Sequence, residues 1–164
     1  MGTLTPAVDT APLLRRAVEV GREGMLLRRG GPFGALVAAP DGTVVAEGCN
    51  RVTSTNDPTA HAEVTAIRAA CSVLGTFSLA GHVLVTSCEP CPMCLAAAWW
   101  ARVDAIVYGA TRADAARAGF DDAAIYEEVA LPVGERRLPV RQGDAAAARA
   151  LFAEWVALEG RVPY

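Results

Sequence analysis

The chain has 164 residues, of which 52% are hydrophobic and 20% charged, and its formal net charge is -3 at pH 7 with a sequence pI near 5.4. This length predicts one globular domain with its own core. The acidic balance gives no overall basic footprint, which argues against a nucleic acid as partner. No apolar run approaches membrane-spanning length, and the first residues lack the pattern of a signal peptide, so we expect a soluble cytoplasmic protein with no membrane partner.

The first half of the chain predicts a helix followed by a hairpin. Apolar residues recur at helical spacing over residues 12–27, which indicates an amphipathic helix packed on a sheet. Two apolar runs, residues 33–39 and 44–49, flank Pro40-Asp41-Gly42, a typical hairpin turn. Residues 51–59 then form a polar loop.

Helices and strands alternate through the middle of the chain. Residues 61–74 predict a second helix, and residues 83–86 a third strand that leads into a helix beginning near Cys91. A fourth strand is expected at residues 105–108, which are too apolar for the edge of a sheet.

The last third is predicted to be mostly helical. Residues 112–118 indicate a short helix, residues 121–129 another helix or an ordered loop, and residues 131–141, with two prolines, an irregular stretch with room for a short edge strand. Asp144 caps a last helix with one apolar face. The alternation predicts a three-layer α/β/α sandwich around a mixed central sheet of about five strands, in a single domain over residues 1–164.

Five cysteines bear on redox state and metal binding: Cys49, Cys71, Cys88, Cys91 and Cys94. An odd number with three clustered together is poorly suited to disulfides and suits a reducing cytosol. The spacing of Cys88, Cys91 and Cys94 is similar to that of iron-sulfur cluster ligands, but the further cysteine of that pattern is missing. We expect Cys49 and Cys71 to be buried as small apolar residues.

Two short stretches carry the predicted chemistry, His61-Ala62-Glu63 and Pro90-Cys91-Pro92-Met93-Cys94. Cysteines three apart at a helix start can direct both sulfurs at one ion, and the positive end of the helix dipole favours their thiolate forms. With one histidine they make three ligands for a tetrahedral zinc, which leaves a fourth position open for water, as in catalytic sites.

Glu63 is the predicted general base. Inside a helix, His61 and Glu63 would point about 200° apart, so they can share a site only at its irregular N-terminal edge. At that edge, the carboxylate of Glu63 can approach the zinc-bound water without itself being a metal ligand. Zinc lowers the pKa of water to about 7, so a nearby carboxylate can take the proton and return it to the leaving group.

Each stretch alone has a simpler interpretation: a satisfied core histidine, and a structural zinc knuckle or redox pair. Together they match the H-x-E and P-C-x-x-C signature of zinc-dependent nucleobase deaminases. The sequence offers no good fourth protein ligand, which argues against a purely structural zinc module, the alternative outside enzymes.

With these residues in place, the chain resembles the cytidine deaminase superfamily, and within it the branch of bacterial guanine deaminases. The similarity runs nearly end to end and is most specific over residues 31–35, 56–68, 86–95 and 118–122. The resemblance implies a cytidine deaminase-like fold and Zn2+ as cofactor, with His61, Cys91 and Cys94 as its ligands and Glu63 as the proton shuttle.

The resemblance also implies six substrate contacts, at Phe33, Asn50, Ala62, Trp100, Asp122 and Tyr164. In that family the asparagine hydrogen-bonds the base, the two pocket aromatics pack on the purine, the alanine contributes backbone contacts and the acidic residue reads the base edge. The C-terminal tyrosine closes the site from the partner subunit of a domain-swapped homodimer, which here would exchange residues 144–164.

The implied reaction is hydrolysis of a free small-molecule base of purine metabolism, guanine plus water giving xanthine plus ammonia. Ala96 and Trp99 depart from the usual family pattern on the zinc helix, which leaves other substrates open. Related branches accept cytosine analogues, triazines such as ammeline, or oxidised guanine. A tRNA adenosine deaminase, which would need a local basic surface, is a lower alternative.

Overall fold

The computed structural model describes residues 9–164, so the expectation that the first residues carry no signal peptide lies largely outside the described part. The helices are α1 Thr10–Leu26, α2 Val52–Thr55, α3 Ala62–Leu74, α4 Pro92–Ala101, α5 Arg112–Arg117, α6 Ala123–Ala130 and α7 Ala145–Ala157, with a 3-10 turn at Val133–Glu135. The strands are β1 Gly34–Ala38, β2 Val44–Cys49, β3 Val83–Cys88 and β4 Ala105–Ala110.

The described chain divides into two compact units, one ending at Asp122 and the other comprising Ala123–Tyr164. The first unit contains all four strands described, in the order β2-β1-β3-β4. Strand β1 pairs antiparallel with β2 and β3, whereas β3 pairs parallel with β4. The mixed sheet is therefore confirmed, with four strands in the described residues rather than about five.

Two sequence expectations about the sheet were wrong. Strand β4 lies at the edge of the described sheet despite its apolar sequence, and none of its residues is buried. Its position follows from the parallel crossover through α4, which apolar composition does not encode. The stretch 131–141 contains the 3-10 turn at Val133–Glu135 and no strand. Pro132 and Pro139 lack the backbone N–H that a strand ladder requires.

Helices cover both faces of the sheet in the first unit. Alternate residues of β1 point to opposite faces, so Ala35 and Val37 pack in one core cluster with Ile67 of α3, and Leu36 packs in another with Ala17 of α1. All five residues of β1 are buried. The predicted α/β/α layering is thus confirmed, with α1 on one face and α3 and α4 on the other.

Helix α3 approaches β2 very closely because Gly48 has no side chain. A Cβ at Gly48 would collide with the backbone nitrogen of Ala66 and the carbonyl oxygen of Ala62. The helix ends at Gly75, whose φ of 65° is the left-handed conformation that glycine adopts without strain. This packing holds the N-terminus of α3 against the end of β2, where several predicted site residues lie.

The second unit consists of α6, the 3-10 turn and α7. Asp144 is the N-cap of α7, as predicted, and its carboxylate accepts hydrogen bonds from the backbone N–H groups of Ala146 and Ala147, each at 3.1 Å. No residue of α7 is buried, and its apolar side chains include Leu151 at 65% and Phe152 at 70% exposure. An apolar helix face left open in this way is a candidate contact surface.

Within residues 9–164, none of the helices combines the length and apolar character needed to cross a membrane.

Candidate metal centre

The predicted ligands lie at the N-termini of two helices. His61 is the N-cap of α3 and Cys91 the N-cap of α4, both with extended backbone, at φ -67° and ψ 157° and at φ -67° and ψ 168° respectively. Pro92 occupies the first turn of α4, where its missing N–H costs no hydrogen bond. The irregular edge predicted for His61 is therefore present, and both helix dipoles direct their positive ends toward the site.

The three ligand atoms come together at distances suited to zinc. His61 Nδ1 lies 3.6 Å from Cys91 Sγ and 3.5 Å from Cys94 Sγ, and all three atoms lie within 4.8 Å of one another. Typical zinc–nitrogen and zinc–sulfur bond lengths in a tetrahedral site place these atoms about 3.6 Å apart. One imidazole and two thiols thus fit Zn2+ in both chemistry and spacing, and Zn2+ is the cofactor of this protein.

The protonation of the cluster follows from its hydrogen bonds. A hydrogen bond from the Cys94 thiol, helped by His61, lowers the pKa of Cys91 to about 4. Donation to Cys91 and then burial raise the pKa of Cys94, and the hydrogen bond with Cys91 raises the pKa of His61. The Cys94 thiol therefore keeps its proton beside the Cys91 thiolate, and a bound cation would replace that proton.

Glu63 lies in the first turn of α3 beside this cluster. It is only 7% exposed and is the one charged residue that is buried within residues 9–164, and it shares a hydrogen bond with Cys94. Burial is the main reason that the pKa of Glu63 is raised. A carboxyl group that holds a proton more readily than usual is suited to taking up and releasing one during a reaction.

Asn50 is held in a defined orientation at the end of β2. Its Oδ1 accepts hydrogen bonds from the backbone N–H groups of Gly31 at 3.3 Å and Val52 at 3.2 Å, and the residue is 7% exposed. Because the carbonyl side of the carboxamide is used by the backbone, its NH2 group is the side available as a donor to a ligand.

Three more predicted substrate residues belong to the same unit. Ala62 is fully buried at the first position of α3. Phe33, just before β1, packs against the core cluster that contains Ala62. Burial, followed by repulsion from Cys91, raises the pKa of Asp122, and the carboxylate of Asp122 also acts on His61. Asp122 is therefore close to the metal ligands.

The other two predicted substrate residues are exposed in the single chain. Trp100 lies six residues after Cys94 on α4, about 120° around the helix axis from it, and is 65% exposed. Tyr164 belongs to the second unit and is 73% exposed. Their roles as substrate contacts stay predictions.

One residue beside the site was missed by the sequence reasoning. Phe120 places its ring edge-to-face on Phe33, with ring centroids 4.9 Å apart and an interplanar angle of 86°. There was one signal for Phe120 in the sequence. It lies two residues before Asp122, within residues 118–122, one of the stretches on which the family resemblance is most specific. No local spacing links it to Phe33, which is far away along the chain.

Comparisons with known proteins agree with this geometry. The family model of the cytidine and deoxycytidylate deaminase zinc-binding region matches residues 9–110, which include the three ligands and Glu63. The guanine deaminase of Bacillus subtilis (strain 168) is 57% identical over 129 residues, which cover 79% of this chain and 82% of that protein.

Solved structures of guanine deaminases are also similar to this chain. The X-ray structure of guanine deaminase from Bacillus subtilis superposes with a TM-score of 0.92 at 48% identity, over 96% of this chain and 99% of that one. A guanine deaminase from Nitrosomonas europaea superposes with a TM-score of 0.66 at 35% identity, over 73% of this chain and 70% of that one. The chain, with its His-Cys-Cys centre at two helix N-termini, belongs to the cytidine and deoxycytidylate deaminase zinc-binding family.

Proposed function

We propose that the protein is a zinc-dependent aminohydrolase that converts guanine and water to xanthine and ammonia. The observation that carries the reaction class is a buried carboxyl group, Glu63, beside a cluster of one imidazole and two thiols. The identity of the base is supported by the similarity to guanine deaminases over most of the chain.

His61 Nδ1 and the sulfurs of Cys91 and Cys94 would hold the metal. Bound there, Zn2+ acts as a Lewis acid that lowers the pKa of water to about 7. Glu63 takes the proton of the water that attacks C2 of guanine and passes it to the ring nitrogen next to C2. As the bond from C2 to the exocyclic nitrogen breaks, Glu63 helps to protonate the leaving amine, so that ammonia departs and xanthine remains.

The remaining residues recognise and enclose the base. The NH2 group of Asn50 donates to the carbonyl oxygen of guanine, and the carboxylate of Asp122 accepts from an N–H on the base edge. Phe33 packs on the purine face and Ala62 contributes backbone contacts. A pocket with a fixed donor and a nearby acceptor favours a base that carries both a carbonyl group and N–H groups over one that carries amino groups alone.

The direct test is ammonia release from guanine by the purified zinc-loaded protein. We expect release of equimolar xanthine and ammonia. Cytosine analogues, ammeline, 8-oxoguanine and adenosine in tRNA are tested in parallel, because the Ala96 and Trp99 departures lie on the zinc helix. Release from one of these compounds, with none from guanine, would overturn the substrate assignment and keep the deaminase chemistry.

We further propose that residues 1–164 act as one catalytic domain in a homodimer that exchanges residues 144–164, so that Tyr164 closes the partner's site. The support is the exposed apolar face of α7, with Phe152 at 70% exposure, and Trp99 on α4 at 78%. Apolar helix surfaces of this kind are normally covered in the working assembly.

Subunit mixing tests this exchange. Glu63→Gln and Tyr164→Ala homodimers should each be nearly inactive. After unfolding and refolding them together, one site in each heterodimer would combine an intact Glu63 with an intact Tyr164, so about a quarter of the sites should be active. A mixture that stays as inactive as its components, although heterodimers form, would contradict the exchange, and a monomer in light scattering would contradict the dimer.

We place the reaction in the cytoplasm. All five cysteines are free thiols in the structure, and a centre built on two thiolate ligands suits a reducing compartment.

A further inference from the structure

The segment between α5 and α6 contains the ring contact with Phe33. Phe120 lies in this segment, and its ring meets that of Phe33 edge-to-face at 4.9 Å. The preceding Gly119 has φ 91°, a left-handed conformation that reverses the chain after α5. Asp122, two residues later, acts electrostatically on the metal ligands His61 and Cys91. The same short segment thus carries both the ring contact and an acidic group of the site.

Gly31 lies where the two rings meet. A Cβ at this position would be 3.1 Å from Cδ2 of Phe33 and 3.2 Å from Cε1 of Phe120, so both rings rest close against its Cα. The backbone N–H of Gly31 also donates to Oδ1 of Asn50 at 3.3 Å. Phe120, Phe33, Gly31 and Asn50 therefore form a continuous chain of contacts along one side of the proposed base pocket.

Two backbone hydrogen bonds of this segment return to its own helix. The N–H groups of Gly119 and Phe120 donate to the carbonyl oxygens of Ala116 and Ala115, each at 3.0 Å. These bonds shape the turn, but they do not connect it to the residues preceding β1. The Phe120 ring, in contrast, contacts that side at Phe33.

We propose that Phe120 is a positioning residue for the deamination: through its contact with Phe33 it fixes the aromatic wall of the pocket and holds Asp122 beside the metal centre. The inference rests on the proposed function for what fills the pocket. An edge-to-face partner restricts the rotation of the Phe33 ring and leaves the other face for the base. Glu63 and the metal ligands are held by α3 and α4, so the proton transfers themselves do not depend on Phe120.

The test compares Phe120→Leu with the matched control Phe77→Leu. The two phenylalanines are similarly exposed, at 43% and 51%. Phe77 follows the C-terminal end of α3, a helix of 13 residues whose other end carries the metal centre, and is therefore about 20 Å away along the helix. The same substitution at both positions separates loss of a ring contact in the pocket from general loss of an exposed aromatic side chain.

In Phe120→Leu we expect the KM for guanine to rise about three- to tenfold, which corresponds to the usual coupling of an aromatic pair, with kcat changed less than twofold and zinc content unchanged. Phe120→Tyr keeps the ring edge and should restore the parent KM. Phe77→Leu should leave KM unchanged. A loss confined to kcat, or an equal rise in the Phe77→Leu control, would overturn the positioning role.

Two further measurements separate the contact from the proposed reaction. In a double-mutant cycle with Phe33→Leu, the increases in KM should be less than multiplicative; a fully multiplicative result would show that Phe120 does not act through Phe33. Amide hydrogen exchange over residues 118–122 should become faster in Phe120→Leu but not in Phe77→Leu, and this readout needs no substrate.

The outcomes are distinguishable. If the parent protein does not release ammonia from guanine but the exchange difference is found, the proposed function fails and the anchoring contact stands. If the parent is active, and Phe120→Leu changes neither KM nor exchange, the proposed function stands and the positioning role fails.

Discussion

The metal centre and the C-terminal unit differ sharply in how complete they are within one chain. At the metal centre, Cys94 is fully buried and Glu63 is 7% exposed, and the ligand atoms are already at bonding spacing around a common point. In the C-terminal unit, Phe152 is 70% and Tyr164 73% exposed. The donor cluster is thus assembled within one folded chain, whereas the apolar face of α7 is open to solvent.

The two regions differ because the metal centre is held by packing within one chain, whereas the apolar face of α7 needs a second apolar surface to cover it. Helices α3 and α4 pack on the same sheet, and each begins with an extended N-cap residue, His61 or Cys91. This packing brings the nitrogen and sulfur donors together. The α7 face, by contrast, is stabilised only when another apolar surface excludes water from it. Variants of either region test this division, and the following four are ordered from the largest expected effect to the smallest.

Removing a ligand should abolish the centre altogether. In Cys91→Ala we expect zinc content to fall from about one ion per chain to near zero and activity to fall by roughly 10³-fold or more, because two donors do not hold the metal tightly. Cys71→Ala, a cysteine outside the cluster, is the control and should keep both. Zinc analysis and ammonia release measure the effect, and stoichiometric zinc in Cys91→Ala would contradict the ligand set.

Replacing the base should separate metal binding from turnover. Glu63→Gln keeps the size and hydrogen-bonding capacity of the side chain but cannot take up the proton. We expect full zinc content and a kcat lower by about 10²- to 10⁴-fold. The measurement is the initial rate of ammonia release at saturating guanine, with metal content determined on the same sample. Turnover close to that of the parent would remove Glu63 from this role.

Changing the donor at Asn50 should weaken recognition of the base without unfolding the strand end. In Asn50→Asp, an oxygen still accepts from the N–H groups of Gly31 and Val52, but the NH2 donor is lost. We expect kcat/KM for guanine to fall by about 10- to 100-fold, the cost of a lost and unpaired hydrogen bond to the substrate, with Tm nearly unchanged.

Asn50→Ala provides the contrast for that experiment. It also removes the acceptor of two backbone N–H groups, so we expect an additional loss of about 1–3 kcal/mol in the free energy of unfolding. If Asn50→Asp leaves kcat/KM as it is, the side chain supports the loop alone and does not read the base.

The smallest effect is expected in the C-terminal unit. Asp144→Ala removes the carboxylate that accepts from Ala146 and Ala147, which should lower stability by about 1 kcal/mol, while kcat and zinc content stay at parent values. Asp144→Asn, which retains a capping oxygen, should recover the stability. Thermal unfolding and steady-state kinetics check this, and a loss of zinc in Asp144→Ala would show that the two regions are not separable in this way.

The local elements could be predicted because they depend on short-range rules. Helical periodicity located α1, and proline and cysteine spacing located the start of α4 close to its observed position. The same rules placed His61 at a helix edge, because only there can it share a site with Glu63. The errors were non-local: apolar composition did not reveal that β4 lies at an edge, and the stretch 131–141 did not supply a strand.

By itself, the sequence determined the donor types, their spacing and the order of helices and strands, because each depends on neighbouring residues in the chain. Only the tertiary structure decided that the carbonyl side of Asn50 faces the backbone and that Phe120 packs on Phe33. It also decided that Glu63 is buried enough to raise its pKa. Burial and long-range contact depend on how distant segments pack together, and local spacing does not encode that packing.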